Sequence, residues 1–374
     1  KVAFYAPLKS PAHPIPSGDR RVGQLFMQAL TLAGFDVALV SEFRSFEKKG
    51  DLDQQQQIRS GALEEVSRLI SHYTKLSPQE RPNLWFTYHL YHKAPDLIGP
   101  AVCKAMGIPY CIAEASHAPK QKAGKWTDGY LASAEAIRFA DKVFHMTRLD
   151  GNCLRDLLRE RDTLVHLPPF IETNNIVSDA ERGREVIKQF GARQDRFTLL
   201  SVAMMRPGDK LSSYTQLSEM LSYLSNENWQ LVVVGDGECA SEINALFSPY
   251  GDRIVYTGRQ QGADLQALYG AADLYVWPAC GEAFGMAFLE AARAGTPAIA
   301  GRIRGVPDVV ENGVSGVLVD EGDMQEMAKR VDYMMDNSKI LKQMSESARQ
   351  FVSKERSLAH AAHLLKSHLS GLLS

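Results

Sequence analysis

Two glutamates and a glycine that follow one short apolar segment are suited to hold a phosphorylated sugar. The segment Leu274–Trp277 leads to Glu282 and Gly285, and Glu290 lies on the second turn of the helix predicted to begin near Gly285. A glycine lets a ligand approach the backbone closely, and the unpaired N–H groups at a helix N-terminus favour phosphate. A carboxylate can accept two hydrogen bonds from a vicinal diol such as that of a ribose. The spacing predicts a site for phosphate and sugar; the alternative is an amphipathic helix with two surface carboxylates.

Two cations follow another apolar segment at the corresponding point. Thr198–Met204 is predicted to be a strand, and Arg206 and Lys210 come directly after it. A guanidinium fork and an ammonium group on a rigid element suit the charge of a diphosphate. The alternative is a solvated turn in which the two side chains contact only water.

Short β-branched and aromatic segments alternate with segments of helical period along the whole chain. Near-continuous apolar strands that alternate with helices are typical of parallel sheets covered on both faces. The chain carries two such series, which predicts an α/β protein of two doubly wound, Rossmann-like domains that face each other across a cleft. The predicted strands are Lys1–Pro7, Phe35–Ser41, Leu84–His89, Pro109–Glu114, Lys142–Met146, Thr163–Leu167, Thr198–Met204, Gln230–Val234, Arg253–Tyr256, Leu274–Trp277, Pro297–Ala300 and Gly316–Val319.

A proline pair marks the expected boundary between the domains. Pro168 and Pro169 follow the sixth predicted strand, and the stretch 172–187 after them is mostly polar or charged. Because two prolines allow neither sheet nor helix to continue, they suit a hinge. We therefore expect an N-terminal domain at residues 1–170 and a C-terminal domain at residues 171–351. The helical segment near 352–374 is expected to pack back onto the first domain, after a break within the predicted helix 340–373.

The Glu-x7-Glu pattern, set in its predicted strand, loop and helix, resembles the signature of the family 4 (group 1) retaining glycosyltransferases of the GT-B fold. By that resemblance, Glu282 would contact the donor sugar and Glu290 the ribose. The backbone from Phe284 through Gly285 to Met286 would hold phosphate. The N-terminal domain would bind the acceptor and the C-terminal domain the nucleotide sugar.

The segment around Arg206 is similar to the cation pair of the same family, which neutralises the nucleotide diphosphate as it leaves. Three residues separate Arg206 from Lys210, where the family more often has four, and Leu211 stands in place of a usual glycine. The resemblance implies that both cations are catalytic.

The resemblance extends to four positions in other predicted loops. His117, after the strand Pro109–Glu114, would face the donor sugar, with His89 and His92 as weaker candidates. Gly237 and Arg259 fall at strand ends where the family positions the base and sugar of the nucleotide. Gly18, in a proline-rich loop, would contact the donor phosphate or the acceptor.

The implied activity is transfer of a sugar from a UDP-, GDP- or ADP-sugar to a hydroxyl acceptor, with retention of anomeric configuration. The acceptor class stays open among a saccharide, a lipid-linked molecule and a small molecule. Neither a metal nor a cofactor is expected. The alternatives are a nucleotide-sugar epimerase of the same fold, which would turn over the donor alone, and a non-enzymatic sugar-binding protein, which would bind free sugar without nucleotide.

Composition narrows the class of partner. The chain has 374 residues and a formal net charge of −2, which argues against a nucleic-acid binder with a broad basic face. No apolar run approaches the ~20 residues of a membrane-spanning helix. The five scattered cysteines suggest neither disulfides nor a zinc site but small buried side chains, and a cytoplasmic location is expected.

A basic, aromatic stretch leaves contact with a membrane face or an anionic acceptor open. It comprises Lys120, Lys122, Lys125 and Trp126. A solvated face is the favoured interpretation of this stretch.

Overall fold

The chain forms two compact units. The structure is a computed structural model that describes residues 1–15, 17–158, 161–173 and 180–373. The first unit comprises Lys1–Pro168 with Leu358–Ser374, and the second comprises Pro169–Ser357. Part of the polar stretch that follows the two prolines, residues 174–179, lies outside the described residues.

The first unit is built on a parallel sheet of six strands in the order β2-β1-β3-β4-β5-β6. The strands are β1 (Val2–Tyr5), β2 (Val37–Ser41), β3 (Leu84–Leu90), β4 (Tyr110–Ala115), β5 (Lys142–His145) and β6 (Leu164–His166). The helices between them are α1 (Gly18–Leu32), α2 (Leu52–Lys75), α3 (Gly99–Met106), α4 (Thr127–Phe139) and α5 (Arg148–Leu154). The direction in which strands are added reverses between β1 and β3, which makes this the topological switch point of the sheet.

The second unit has a second six-stranded parallel sheet, in the order β12-β11-β10-β7-β8-β9. Its strands are β7 (Phe197–Val202), β8 (Trp229–Val234), β9 (Ile254–Gly258), β10 (Leu274–Trp277), β11 (Ala298–Gly301) and β12 (Gly316–Val319). Its helices are α6 (Ala180–Gln189), α7 (Asp209–Ser222), α8 (Ala240–Phe247), α9 (Gly262–Ala271), α10 (Met286–Ala294), α11 (Met324–Asp336) and α12 (Ser338–Glu355). The switch point of this sheet lies between β7 and β10.

The last helix, α13 (Leu358–Leu369), belongs to the first unit and packs against α1. The predicted break in the terminal helical segment falls at Arg356 and Ser357, between α12 and α13. Arg356 is 6% exposed, its guanidinium lies 4.5 Å from the centroid of the Phe351 ring, and its Nε donates to the carbonyl of Asp308 at 3.2 Å. This buried arginine fixes the end of α12 to the second unit.

All twelve predicted strands occur, with ends that differ by at most two residues. The apolar runs form strands because each sheet is covered on both faces, and all six residues of β8 are buried. Burying a large apolar side chain contributes about 1.5–3 kcal/mol, so such strands stabilise the core of each unit.

The five cysteines are all free thiols. Three are buried and Cys280 is partly buried, as expected of small apolar side chains, whereas Cys153 on α5 is exposed and departs from that expectation. Among the described residues, no helix is long and apolar enough to cross a membrane.

Candidate active site

The switch point of the second sheet places two loops side by side. The loop after β7 carries Arg206 and ends at α7, and the loop after β10 carries Glu282 and ends at α10. Because β7 and β10 are neighbouring parallel strands, their carboxyl ends meet at the same edge of the sheet. In open α/β sheets ligands bind outside such a point, so the topology brings together two motifs that are far apart in the sequence.

An ion pair connects the two loops. The Lys210 ammonium on the first turn of α7 contacts the Glu282 carboxylate, and each side chain is 19% exposed. The same ammonium lies 5.5 Å from the centroid of the buried Trp277 ring at the end of β10. The contact fixes one cation and one carboxylate at the sheet edge.

Arg206 is exposed and lies in the wall of a cavity of about 440 Å³, here called the Arg206 cavity. Lys210 and Glu282 line this cavity together with the loop residues between them and Arg206. Among the described residues, no carboxylate lies within ion-pair distance of the Arg206 guanidinium. The cavity therefore presents one paired cation, Lys210, and one cation without a carboxylate at ion-pair distance, Arg206, and the Asp209 carboxylate also lies in its wall.

A second cavity of about 190 Å³, the Met286 cavity, adjoins the same ion pair. Lys210 and Glu282 line it as well, along with Gly285, Met286 and the exposed Met204. The two cavities thus share the Lys210–Glu282 pair as a common wall. A ligand that occupied both would pass directly over this pair.

The N-termini of α7 and α10 both open at this point, and neither is capped by a side chain. The first N–H groups of a helix have no partner within the helix and carry the positive end of its dipole. Gly285 precedes α10 with φ 80°, and a Cβ there would lie 2.8 Å from Cδ2 of Phe288. Only glycine fits this turn, which exposes the amides of α10 to a ligand.

The loop after β10 is held in a sparsely populated backbone conformation. Ala279 has φ 67° and Arg304, in a neighbouring loop, has φ 43°. Arg304 donates from Nη1 to the carbonyl of Gly281 at 3.0 Å, and the Gly305 N–H donates to Ala283 at 2.9 Å. Left-handed conformations of non-glycine residues concentrate at functional sites, where the surroundings hold them in place.

Glu290 does not line either of these two cavities. It is partly buried on the second turn of α10, and Oη of the buried Tyr269 on α9 donates to its Oε2 at 2.8 Å. Phe284 is 8% exposed and packs into the core, so only its backbone is suited to meet a ligand. The structure thus brings together Arg206, Lys210, Glu282, Gly285 and Met286 and leaves Glu290 one turn away.

Gly237 and Arg259 lie at the ends of strands farther along the sheet and outside both cavities. At Gly237 φ is 149°, and a Cβ would lie 2.2 Å from the carbonyl oxygen of Met205. This glycine lets the loops after β7 and β8 pack backbone to backbone. The packing alone therefore requires a glycine at this position, whether or not the residue contacts a nucleotide. Arg259 is exposed just after β9, the edge strand of the sheet.

In the first unit, His117 follows β4 and is held by a tyrosine. Its Nε2 lies 3.3 Å from Oη of Tyr130 on α4, and the two rings are 4.9 Å apart. Burial, with a smaller contribution from the charge of Arg138, lowers the pKa of His117. The imidazole is therefore neutral at pH 7 and is suited to hydrogen bonding.

Gly18 is the first residue of α1 and is exposed. A Cβ at this position would have no neighbour within 4 Å. The packing of the first unit does not require a glycine here.

A cluster at the switch point of the first sheet was not predicted as a unit. His89 on β3 has its Nδ1 3.1 Å from Oδ1 of Asp19 and 3.8 Å from Oε1 of Glu114 on β4. Both His89 and Glu114 have positive φ, 59° and 57°. Burial lowers the pKa of His89, but the charges of Glu114 and Asp19 outweigh this and raise it to about 9. The sequence signal that could have predicted this cluster is the position of its three polar residues: Asp19 lies at the start of α1, and His89 and Glu114 lie near the ends of β3 and β4.

The described residues contain no group of three or more histidine, cysteine, aspartate or glutamate side chains arranged to hold a metal ion. Metal independence stays a prediction.

Two α/β units of this topology, one with cations and a helix N-terminus at its switch point, define a protein of the GT-B fold. Solved structures share it over the full length: HepE from Anabaena in complex with UDP-glucose has a TM-score of 0.71 and 16% identity, with 99% of each chain covered. Sucrose-phosphate synthase from Thermosynechococcus elongatus has a TM-score of 0.72 and 18% identity, with 100% of this chain and 99% of that chain covered.

Residues 183–351, the greater part of the second unit, match the family model of glycosyl transferases group 1. The solved structures confirm the predicted fold class. The match confirms the resemblance to this family and the enzyme class that the Glu-x7-Glu pattern implied. The 2-deoxystreptamine glucosyltransferase of Streptomyces kanamyceticus is 22% identical over 289 residues, 74% of each chain. The sulfoquinovosyl transferase SQD2 of Arabidopsis thaliana is 28% identical over 33% of this chain, and the match spans only 25% of that protein.

Proposed function

We propose that this chain transfers a sugar from a nucleotide diphosphate sugar to a hydroxyl acceptor, with retention of anomeric configuration. The observation that carries the proposal is the shared wall of the Arg206 and Met286 cavities. There an available guanidinium, an ammonium–carboxylate pair and the N-terminus of α10 lie within reach of one extended ligand. A diphosphate needs the cations and amides, and a sugar needs the carboxylate.

The second unit would bind the donor. Arg206 would pair with the diphosphate through its guanidinium fork, and Lys210 would shift from Glu282 to share the phosphate charge. Glu282, released from Lys210, would accept hydrogen bonds from the hydroxyls of the sugar, and Glu290 would accept from the ribose. The amides at Gly285 and Met286 would hold the distal phosphate.

The chemical step needs stabilisation of negative charge more than it needs a protein base. As the bond from the anomeric carbon to the diphosphate oxygen breaks, charge grows on that oxygen, where Arg206 and Lys210 are preorganised to meet it. The departing diphosphate would accept the proton of the acceptor hydroxyl on the same face of the sugar. Neutral His117, held by Tyr130 in the acceptor-binding first unit, would hydrogen-bond the donor sugar.

For the donor we propose a UDP-sugar, because one of the structural neighbours is described in complex with UDP-glucose. A calorimetric comparison of UDP, GDP and ADP tests this choice, and tighter binding of GDP or ADP would change it. The five free thiols support a reducing, cytoplasmic setting, with peripheral membrane contact as an alternative.

Retention is tested by NMR of the glycosylated product after incubation with UDP-glucose and an acceptor. The coupling constant of the anomeric proton should show the α configuration of the donor; a β product would contradict the proposal. Turnover of UDP-glucose into an epimer without acceptor would favour an epimerase. Binding of free glucose without nucleotide, and no turnover, would favour a sugar-binding protein.

Metal independence is tested in the same assay. Turnover should be unchanged by excess EDTA after dialysis, because cations of the protein neutralise the leaving group. Loss of activity that Mg²⁺ or Mn²⁺ restores would show that the cations are insufficient.

A further inference from the structure

The first unit contains a cavity of its own, of about 410 Å³, here called the Trp126 cavity. It lies between the loops after β2 and β3 and the first turns of α2 and α4. Its walls include Arg59 from α2, His92 and Lys93 from the loop after β3, and Trp126 directly before α4. All these elements begin or end at the carboxyl edge of the sheet, where α/β domains bind ligands.

Two buried ring nitrogens in this wall lack a partner. Trp126 Nε1 and His92 Nε2 are each inaccessible to solvent and have no hydrogen-bond partner among the described residues. Their rings meet edge to face at 5.8 Å, so each holds the other in place. An indole N–H can only donate, and a buried donor left unpaired costs about 1–3 kcal/mol. Proteins pair nearly all such groups, so two side by side indicate a missing acceptor.

His92 can supply a donor without a charge. Burial, followed by the charges of Lys93 and Lys120, lowers its pKa, so the ring is neutral at pH 7. A neutral imidazole carries one N–H, and an acceptor in the cavity would favour its placement on Nε2.

A cation beside these donors lacks an anion. The Lys93 ammonium lies 4.3 Å from the centroid of the Trp126 ring and has no carboxylate within ion-pair distance in the described part of the chain. The acidic residues of the wall are already engaged. Glu47 accepts from the backbone N–H groups of Lys49 and Gly50, and Asp128 lies 3.9 Å from Arg59. The wall thus carries two cations and two carboxylates. Among the described residues the Lys93 ammonium has no carboxylate at ion-pair distance, and it lies beside two ring nitrogens that lack a partner.

The wall is held in place by contacts that do not involve these groups. Gln55 Nε2 donates to the carbonyl of Lys125 at 2.8 Å, which connects α2 to the segment before α4. A Cβ on Gly129 would lie 2.1 Å from the carbonyl oxygen of His92, so the first turn of α4 packs directly on the loop after β3. The cavity is thus a built feature of the fold.

We propose that the Trp126 cavity binds an anionic oxygen group, a phosphate or a carboxylate, carried by the hydroxyl acceptor. Such a group pairs with Lys93, and it supplies the partner that Trp126 and His92 lack once their rings shift to expose the two nitrogens. This inference rests on the proposed function and narrows its acceptor to an anionic molecule. The solvated face expected for this stretch holds for Lys120, Lys122 and Lys125, which are exposed, whereas Trp126 turns inward.

Isothermal titration calorimetry with inorganic phosphate, glucose 6-phosphate and glucose tests the assignment. Both phosphates should bind, and glucose should bind at least about tenfold more weakly, because it leaves Lys93 unpaired. Lys93→Met should raise the Kd of both phosphates about tenfold, and Trp126→Phe, which keeps a ring but removes the N–H, should raise it about threefold to tenfold. Lys122→Met is the matched control, since it removes the same charge outside the cavity wall.

The outcomes separate this inference from the proposed function. UDP binding is measured in the same samples, because it reports on the second unit and on correct folding of each variant. Equal binding of glucose and glucose 6-phosphate, or equal weakening by Lys93→Met and Lys122→Met, overturns the cavity assignment while intact UDP binding leaves the transferase proposal standing. If the unmodified chain binds none of UDP, GDP and ADP, the proposed function is overturned instead.

A second arm identifies the source of the anion. Vesicles of phosphatidylglycerol and of phosphatidylcholine are compared by co-sedimentation. Binding to phosphatidylglycerol vesicles that depends on Lys93 supports the assignment and identifies a lipid headgroup as the anion. Binding of the free phosphates but not of the vesicles supports the assignment and identifies a soluble acceptor. If the chain binds neither these vesicles nor the free phosphates, the assignment is wrong.

Discussion

At the scale of residues, the two cations of the candidate site differ in whether they are paired with a carboxylate. Lys210 is neutralised by Glu282, while Arg206 faces its cavity with no carboxylate partner among the described residues. A paired cation and carboxylate can separate when a diphosphate and a sugar arrive, since each then gains a new partner of suitable charge. Arg206 has no such competition, so we expect it to contribute most of the initial attraction for the donor.

Arg206→Ala should lower kcat by about 10²–10³, because a preorganised charge that meets the leaving group is lost. The measurement is initial-rate kinetics with UDP-glucose, alongside circular dichroism. Arg184→Ala, which removes an exposed arginine of α6 in the same unit, should leave kcat unchanged. Equal kcat for the Arg206 variant and the unmodified chain would place Arg206 outside the site.

Tyr269→Phe should weaken UDP binding about twofold to tenfold, since one hydrogen bond that orients Glu290 is removed. Repeating the titration with 2′-deoxy-UDP isolates the contribution of the ribose 2′-hydroxyl. The variant and the unmodified chain should bind this nucleotide with nearly the same Kd. A similar loss for both nucleotides would show that Tyr269 acts on the fold of α10 and not on a ribose contact.

At the scale of elements, the site is formed by two loops and the helix N-termini that follow them. The strand order brings these elements together, because β7 and β10 are neighbours in the sheet. The loop after β10 contains Gly285 and the left-handed Ala279, and Arg304 holds it from a neighbouring loop through its hydrogen bond to the carbonyl of Gly281. Loops of this kind store strain that the neighbouring elements hold in place. The amides of α10 are thereby presented in a fixed direction before any ligand binds.

Gly285→Ala should destabilise the second unit by about 1–2 kcal/mol and weaken UDP binding, because a Cβ is disfavoured at φ 80° and would approach Phe288. Chemical denaturation and calorimetry measure the two effects.

Gly18→Ala is the matched comparison at the N-terminus of α1. Stability should change by less than about 0.5 kcal/mol, since no atom lies within 4 Å of the added Cβ. Any loss of turnover in this variant would then report a substrate contact of the loop before α1. Unchanged turnover would remove Gly18 from the predicted site.

At the scale of the whole molecule, each unit has its own sheet, its own switch point and its own polar cluster there. In the first unit that cluster is His89 with Asp19 and Glu114. A histidine whose pKa is raised by folding binds a proton more tightly in the folded state than in the unfolded state. Its contribution to stability is therefore complete below the unfolded pKa of about 6.5 and is lost as the pH rises through the folded value of about 9.

The free energy of unfolding of the first unit should fall by up to about 3 kcal/mol between pH 6.5 and 9. Hydrogen exchange of peptides from β3 and β4 measures this locally. His89→Gln should be less stable at pH 6.5 and nearly independent of pH across that range. A pH dependence that persists in the variant would assign the effect to another group.

The resemblance to the family and the number of strands were predictable because both depend on local pattern. Apolar runs of four to seven residues form strands wherever a sheet is covered on both faces, and Glu282 with Glu290 marks one strand, loop and helix. The contact of Lys210 with Glu282 was not predictable, since 72 residues separate them. The Trp126 cavity was equally hidden, because its wall comes from four separate segments.

The sequence by itself determined which residue types suit phosphate and sugar, and that they lie in the loops that follow strands or on the first turns of the helices after them. This follows because residue type and hydrophobic period are local properties. Only the tertiary structure decided that the strand order places β7 beside β10, that Glu290 is held by Tyr269, and that Trp126 turns inward. These facts depend on packing between distant segments, which is settled by the balance of burial and hydrogen bonding over each whole unit.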